Sequence, residues 1–152
     1  MVRKILPLIA LAVTLLLIAG CGVASDPQSA SVGAPAAEVG KFVDSLPGLD
    51  LRGFQAYEGK AQHIDGFEAR RKMYEEATAR IRETAEGFAS AGLSTRVRSG
   101  GGTGTWRWDL EAGVLSELQS GSYLFMDAHY CSVGGPEGPV YDDFEPSLFV
   151  LT

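Results

Sequence analysis

The stretch V-R-S-G-G-G-T-G-T-W, residues 97–106, decides how the rest of the chain is interpreted. A short strand predicted over residues 94–98 runs directly into residues 99–105, which we call the glycine loop. Glycine has no Cβ, so such a loop bends sharply and presents backbone N–H groups to an anion. The loop lacks the G-x-x-x-x-G-K pattern, and Thr105 and Arg107 stand where G-x-G-x-x-G needs its last glycine. A phosphate cradle and a plain glycine-rich hairpin remain as interpretations.

The segments before the glycine loop alternate between strand and helix. Residues 49–57 alternate enough to predict a strand, and residues 64–93 predict a long helix. One face of that helix carries apolar side chains at spacings of three and four: Tyr74, Ala77, Ile81, Ala85 and Phe88. A shorter helix is predicted over residues 36–46. The order strand, helix, strand, glycine loop predicts βα units and therefore the α/β class.

The segments after the glycine loop contain short runs of apolar and aromatic residues. They predict further strands over residues 106–110, 114–119 and 122–127, separated by turns. A turn-rich loop follows at residues 134–139. Residues 148–151 are apolar and predict the beginning of another strand.

The N-terminus predicts an export signal over residues 1–20. Arg3 and Lys4 precede an apolar run, residues 5–19, which is shorter than the ~20 residues of a membrane-spanning helix. The junction Ile18-Ala19-Gly20-Cys21 resembles the bacterial lipobox, with Ile18 in place of the usual leucine. We therefore expect lipidation at Cys21 and a membrane-anchored lipoprotein on the periplasmic or cell-surface side. An uncleaved anchor, or a secretory signal with an incidental cysteine, is the alternative.

Composition limits the partners of the chain. Residues 21–37 are rich in Ser, Ala, Gly and Pro and predict a flexible tether. The formal net charge is −6, which argues against nucleic acid, because phosphate contacts need clustered Lys and Arg. With Cys21 acylated, Cys131 has no intramolecular disulfide partner.

Three motifs in order resemble one enzyme family. They are G-F-Q-A-Y-E-G-K-A-Q-H, then the glycine loop with its flanks, then E-L-Q-S-G-S-Y-L-F-M-D-A-H-Y. The chain resembles the D-threonine aldolase and D-serine dehydratase-like family of fold-type III pyridoxal-phosphate enzymes over residues 46–130. The resemblance implies the C-terminal part of an alanine racemase-like (β/α)8 TIM barrel, followed by the start of a β domain. It also implies pyridoxal 5'-phosphate as cofactor and a small D-β-hydroxy amino acid as substrate.

The resemblance implies roles for named residues. Gly101, Gly102, Thr103 and Gly104 would cradle the cofactor phosphate. Gln55 and Tyr57 would line the cofactor pocket, and Tyr57 and His63 are the catalytic candidates, with His63 moving a proton at the substrate hydroxyl. A histidine suits this transfer because it titrates near neutrality. Taken without the resemblance, His63 is an exposed residue at a helix start.

Two parts of the family's catalytic equipment have no counterpart in this sequence. A pyridoxal enzyme needs a Schiff-base lysine, and none of Lys4, Lys41, Lys60 and Lys72 has the family's context for it. The family's divalent metal ligands also have no match. His129 and Cys131 have His-x-Cys spacing, but two ligands do not make a zinc site, so no metal site is predicted. Residues 127–131 read D-A-H-Y-C where the family usually shows D-A-D-Y-G.

The length of the chain also predicts an incomplete enzyme. A complete barrel takes about 250 residues, so we expect a partial barrel over residues 38–131 and a truncated β domain over residues 132–152. The first hypothesis is a truncated lyase homologue, inactive alone, that needs a complementing chain or self-association. The alternative is a non-enzymatic, surface-anchored lipoprotein of unknown role.

Overall fold

The computed structural model describes residues 15–17 and 33–151. Strands β1 to β4 form one parallel sheet in sequential order. They span Leu15–Leu17, Gly53–Ala56, Val97–Gly100 and Glu117–Leu118. The helices α1 to α4 span Ala34–Asp44, Phe67–Ser90, Trp106–Ala112 and Ala128–Ser132. Short 3-10 helices span Lys60–His63 and Ser122–Leu124. Sequential parallel strands with helices between them are the pattern of a βα barrel segment.

The main apolar core lies between α1, α2 and strand β2. Phe54 of β2 is fully buried and meets Phe88 of α2, with ring centroids 5.2 Å apart. Burying two aromatic rings removes a large apolar area from water, which favours this packing. The buried residues of this core are Ala36, Ala37, Val43, Leu51, Phe54 and Phe88. A second buried cluster comprises Met126, Tyr130, Val133 and Tyr141.

The secondary-structure predictions before the glycine loop are confirmed, with shifted ends. Helices α1 and α2 and strand β2 lie inside the predicted segments or overlap them. Strand β3 begins at Val97, three residues later than predicted, and β4 occupies part of the predicted strand 114–119. The periodicity of the sequence was sufficient here because these elements bury one face against a single neighbouring layer.

The strand predictions at residues 106–110 and 122–127 are wrong. Residues 106–112 form α3, where the Trp108 ring packs against Tyr74 and Phe67 of α2 with centroids 5.5 and 5.0 Å away. This tertiary packing outweighs the β-propensity of tryptophan. Residues 122–124 form a 3-10 helix, and residues 148–151 form no strand. Helix α4 was not predicted, although Asp127 caps it by accepting from the Tyr130 amide at 2.9 Å.

Part of the predicted export signal falls on residues that the structure describes. Leu15–Leu17, assigned to an export signal outside the fold, pair as β1 with Phe54 to Ala56 of β2. An apolar run of this kind suits a buried parallel strand as well as a signal. Cys21 and most of the predicted tether lie outside the described residues, and α1 begins within the last part of the tether at Ala34. No helix in the described part of the chain has the length and apolar character to cross a membrane.

Candidate active site

The glycine loop begins with the last two residues of β3 and leaves the parallel sheet at its carboxyl end. Ligands of α/β folds bind at this edge, where the loops after the strands converge. Gly101 adopts a positive φ of 65° and turns the chain away from the sheet, in a conformation that favours glycine. The loop residues from Gly100 to Thr105 are all buried, so the loop is packed on both sides rather than extended into solvent.

Two of the four predicted cradle residues have amides bonded within the chain. The Gly104 amide donates to Gln62 Oε1 at 2.8 Å, and the Gly102 amide donates to Thr105 Oγ1 at 3.2 Å. Gln62 lies in the 3-10 helix after β2 and is 1% exposed. An anion at this loop would therefore have to bind through other amides, such as those of Gly101 and Thr103.

A second turn, residues 120–123, lies against the glycine loop. The Tyr123 amide donates to Thr103 Oγ1 at 3.2 Å, and the Tyr141 hydroxyl donates to the Thr103 carbonyl. Ser120 Oγ is buried and has no hydrogen-bond partner within the described residues. A buried hydroxyl without a partner is costly, and a ligand oxygen would remove that cost.

Gln55 lies in a polar ladder on the face of the sheet opposite the helices. Side chains alternate along a strand, so Gln55 points away from the core that holds Phe54. Its Nε2 donates to Gln119 Oε1 at 2.9 Å, and Gln119 Nε2 donates to Ser99 Oγ at 2.9 Å. Ser99 Oγ donates in turn to Glu117 Oε1 at 2.7 Å. The ladder presents polar groups to the side of the sheet that faces the interior of a closed barrel.

His63, the last residue of the 3-10 helix, and Tyr57, three residues before that helix, lie close to α4. The His63 ring stacks on His129 with centroids 4.7 Å apart and planes 7° apart, and it also contacts Tyr130 at 4.7 Å. The pKa of Tyr130 is raised to about 12, first by burial and then by the nearby Tyr57. The structure thus brings His63, Tyr57 and Tyr130 together, while their neighbour Gln62 contacts the glycine loop.

Asp109 of α3 is a buried carboxylate beneath the glycine loop. It is 5% exposed and accepts from the Thr105 hydroxyl at 2.7 Å. Burial raises its pKa to about 6, an effect opposed by hydrogen bonds from Thr105 and the Gly102 amide. It lines a cavity of about 20 Å3 with Glu58 and Tyr74, and no lysine, arginine or histidine is among the described residues around this cavity.

We predict that Asp109 makes the chain less stable as pH rises. The folded pKa of about 6 exceeds the ordinary 3.8, so the folded state binds the proton more tightly. The free energy of unfolding should therefore fall between pH 4 and 6, by up to about 3 kcal/mol from this group. Urea unfolding across this range, compared with Asp109→Asn, isolates the effect from other titrating groups. Equal pH slopes in the two chains would contradict the prediction.

The sequence predicted neither a Schiff-base lysine nor a metal site in this chain. Lys41 pairs with Glu38 on α1 at 2.7 Å, Lys72 is exposed on α2, and Lys60 is exposed at the start of the 3-10 helix. None of these three lies among the residues that contact the glycine loop. In residues 33–151 there is no group of three or more His, Cys, Asp or Glu side chains placed to hold a metal ion.

Four residues of the site were not singled out from the sequence. Gln62 and Ser120 stand inside quoted motifs, but nothing in a linear motif tells which polar side chain turns inward. Asp109 was assigned to a predicted strand, and Arg70 was given no role in the sequence analysis. A polar residue on the apolar stripe of α2 was the available signal for Arg70, because it lies four residues before Tyr74.

The chain is similar to known proteins over most of its length. No family model matches the chain. The chain is 39% identical over 117 residues to a 3-hydroxy-D-aspartate aldolase of Paracoccus denitrificans (strain Pd 1222), covering 76% of this chain and 30% of that protein. It is 36% identical over 131 residues to a D-threonine aldolase of an Arthrobacter species, covering 86% of this chain and 32% of that protein.

Over this region the chain is a homologue of these aldolases. The crystal structure of D-threonine aldolase from Filomicrobium marinum superposes with a TM-score of 0.70 and 33% identity, over 78% of this chain and 31% of that one. The α/β fold predicted from the sequence, part of an alanine racemase-like barrel, is thereby confirmed. The chain spans about a third of the length of the relatives that it matches.

Proposed function

We propose that this chain holds the cofactor phosphate in a pyridoxal-phosphate-dependent lyase that acts on D-β-hydroxy amino acids. The observation that carries the proposal is the glycine loop at the carboxyl end of β3, packed against the turn 120–123, in a chain similar to D-threonine aldolase. In barrels of this kind, phosphate sites lie in the loops after the last strands. The buried, unpartnered Ser120 hydroxyl suits a phosphate oxygen.

The site fits the phosphate end of the cofactor better than its aldehyde end. The Gly101 and Thr103 amides and the unpartnered Ser120 Oγ are the candidate donors, whereas the described lysines lie elsewhere. We infer that a lysine and a metal site from outside residues 33–151 complete the enzyme and that the chain alone is inactive. When bound, pyridoxal phosphate supplies the electron sink for cleavage of the substrate carbon–carbon bond.

The roles of the chain's own residues follow from their places. His63 is exposed and its ring is held by stacking on His129 and contact with Tyr130, so it can exchange a proton at the substrate hydroxyl in a fixed orientation. Tyr57, 38% exposed beside Tyr130, would line the same side. Gln55, at the end of the polar ladder, would face the cofactor ring from the inner side of the sheet.

A titration of the full chain tests this proposal. Pyridoxal phosphate should shift the amide signals of Gly101 and Thr103, and pyridoxal, which lacks the phosphate, should leave them unshifted. Borohydride treatment of the mixture should give no stable label at a single lysine of this chain. Unshifted loop amides would refute the phosphate site, and stable labelling of one lysine would refute the inferred need for an outside lysine.

We also propose that the remaining part of the enzyme covers an apolar surface of this chain. Ser147 donates its amide to the Phe125 carbonyl at 2.9 Å, which places two apolar segments side by side. Phe125 is 58% exposed and Phe149 is 75% exposed. A complementing chain, or a second copy of this chain, would bury such a surface. Sedimentation of the full chain alone and with a candidate partner tests this, since a monomer that binds no partner would refute it.

Membrane anchoring through Cys21 is a separate proposal, supported by the lipobox-like junction at residues 18–21. Cleavage before Cys21 would remove β1 and leave β2 as an edge strand, so the anchored form would have a three-stranded sheet. Metabolic labelling with a fatty-acid analogue tests the proposal, with Cys21→Ser as control. Equal label in the two chains, or none in either, would refute it. An anchored chain that also failed the titration above would support the non-enzymatic alternative.

A further inference from the structure

One buried carboxamide connects the two sides of the candidate site. Gln62 Oε1 accepts from the Gly104 amide at 2.8 Å, and its Nε2 donates to Thr105 Oγ1 at 3.2 Å and to the Glu58 carbonyl at 3.5 Å. A carboxamide offers an acceptor and a donor on adjacent atoms, which an ionised carboxylate does not. The side chain at position 62 must therefore place an acceptor at Gly104 and a donor at Thr105, which Gln62 does in one orientation of its carboxamide.

The Thr105 hydroxyl uses its full hydrogen-bonding capacity. It accepts from Gln62 Nε2 and from the Gly102 amide, each at 3.2 Å, and donates to Asp109 Oδ2 at 2.7 Å. A hydroxyl has one donor and two acceptor lone pairs, so all three are occupied. The Gly102 carbonyl, 3.5 Å from Thr105 Oγ1, is a more distant acceptor for the same proton, so the shorter bonds run from Gln62 through Thr105 to Asp109.

The glycines of the loop are explained by the same contacts. A Cβ on Gly102 would lie 2.5 Å from Gln62 Oε1, and a Cβ on Gly104 would lie 2.6 Å from the Gln62 carbonyl oxygen. A Cβ on Gly101 would lie 2.4 Å from Asp109 Oδ2. The side chains of Gln62 and Asp109 and the backbone of Gln62 thus approach the loop closely, which favours glycine before any ligand is considered.

We propose that Gln62 is a positioning residue for phosphate binding: with Thr105 it fixes the shape of the glycine loop and engages the Gly102 and Gly104 amides internally. The phosphate then binds to the amides that this arrangement leaves available. This inference rests on the function proposed above. Because Gln62 immediately precedes His63 on one 3-10 helix, the same residue couples the shape of the loop to the position of His63.

Isosteric variants of the full chain test the inference. Gln62→Met and Thr105→Val remove the hydrogen bonds and keep the volume, and we expect each to weaken phosphate binding about tenfold or more, the equivalent of one or two lost hydrogen bonds. Thr105→Ser keeps the hydroxyl and should bind within about threefold of the wild-type chain. Binding of inorganic phosphate and of pyridoxal phosphate is measured well below the unfolding temperature of each variant.

Hydrogen exchange of the ligand-free chain gives an independent readout. The Gly102 and Gly104 amides should be protected in the wild-type and Thr105→Ser chains and exchange faster in Gln62→Met. Unchanged phosphate affinity in folded Gln62→Met, or equal losses in Thr105→Ser and Thr105→Val, would overturn the inference alone. Absence of phosphate binding by the wild-type chain would overturn the proposed function and this inference together. Should Gln62→Met fail to fold, the two Thr105 variants decide.

Discussion

Replacing Arg70 with methionine is expected to lower the free energy of unfolding by about 4 kcal/mol, because buried backbone carbonyls lose the cation that donates to them. Arg70 is fully buried. Its guanidinium donates to the carbonyls of Gly104 at 3.1 Å, Ile64 at 3.0 Å, Val133 at 2.8 Å and Gly134 at 2.6 Å. One side chain therefore joins the glycine loop, the start of α2 and the segment after α4.

Two effects compete in this substitution. Burial lowers the pKa of Arg70 because the charged form loses its hydration, and methionine would relieve that cost. The carbonyls of Gly104, Ile64 and Gly134 would however lose this donor, whereas the Val133 carbonyl would keep the Gly66 amide at 2.9 Å. The rings of Trp108 and Tyr141 would lose a cation 5.8 and 5.4 Å from their centroids. Unpaired buried acceptors cost about 1–3 kcal/mol each, so the loss should prevail.

Urea unfolding of the two chains measures this difference. Arg71→Met is the matched control, because Arg71 is the next residue on α2, about half exposed, and pairs with the exposed Glu75 at 3.1 Å. A surface pair of this kind contributes about 0–1 kcal/mol. Similar changes for Arg70→Met and Arg71→Met would show that the carbonyl contacts of Arg70 contribute nothing to folding.

Phe88→Ala is the second substitution with a large expected effect, a loss of about 3–5 kcal/mol. The Phe88 side chain is fully buried between α1 and the sheet and contacts the Phe54 ring. Truncation removes the transfer free energy of the ring and leaves a cavity that the surrounding helices fill only in part. The cost should therefore exceed that of surface truncations of the same residue type.

Thermal and urea unfolding check this expectation, with Phe42→Ala as control. Phe42 lies on α1 and is 64% exposed, so its truncation should change stability by less than about 1 kcal/mol. If both phenylalanine variants unfold at the same urea concentration, the core assigned to α1, α2 and β2 does not hold the chain together.

The sequence predicted the parts of this fold that depend on neighbouring residues. The long helix α2 follows from apolar residues at helical spacing, and the glycine loop follows from the absence of Cβ atoms over residues 100–102. The order of the three motifs also predicted the barrel-type α/β fold that the aldolase structure confirms. The strand prediction for residues 106–110 is wrong because the local preference for a strand is weak, and packing against α2 decides the outcome.

The candidate site was likewise predictable only in part from the sequence. Residue types and their spacing by themselves determined that a glycine loop follows β3 and that a glutamine and a histidine precede α2. Only the tertiary structure decided that Gln62, 42 residues away along the chain, bonds to Gly104, and that Arg70 reaches carbonyls 63 and 64 residues away. Hydrophobic periodicity indicates which face of a helix or strand is buried. The partner of a buried polar group is set by how the elements pack, and that information exists only in the folded chain.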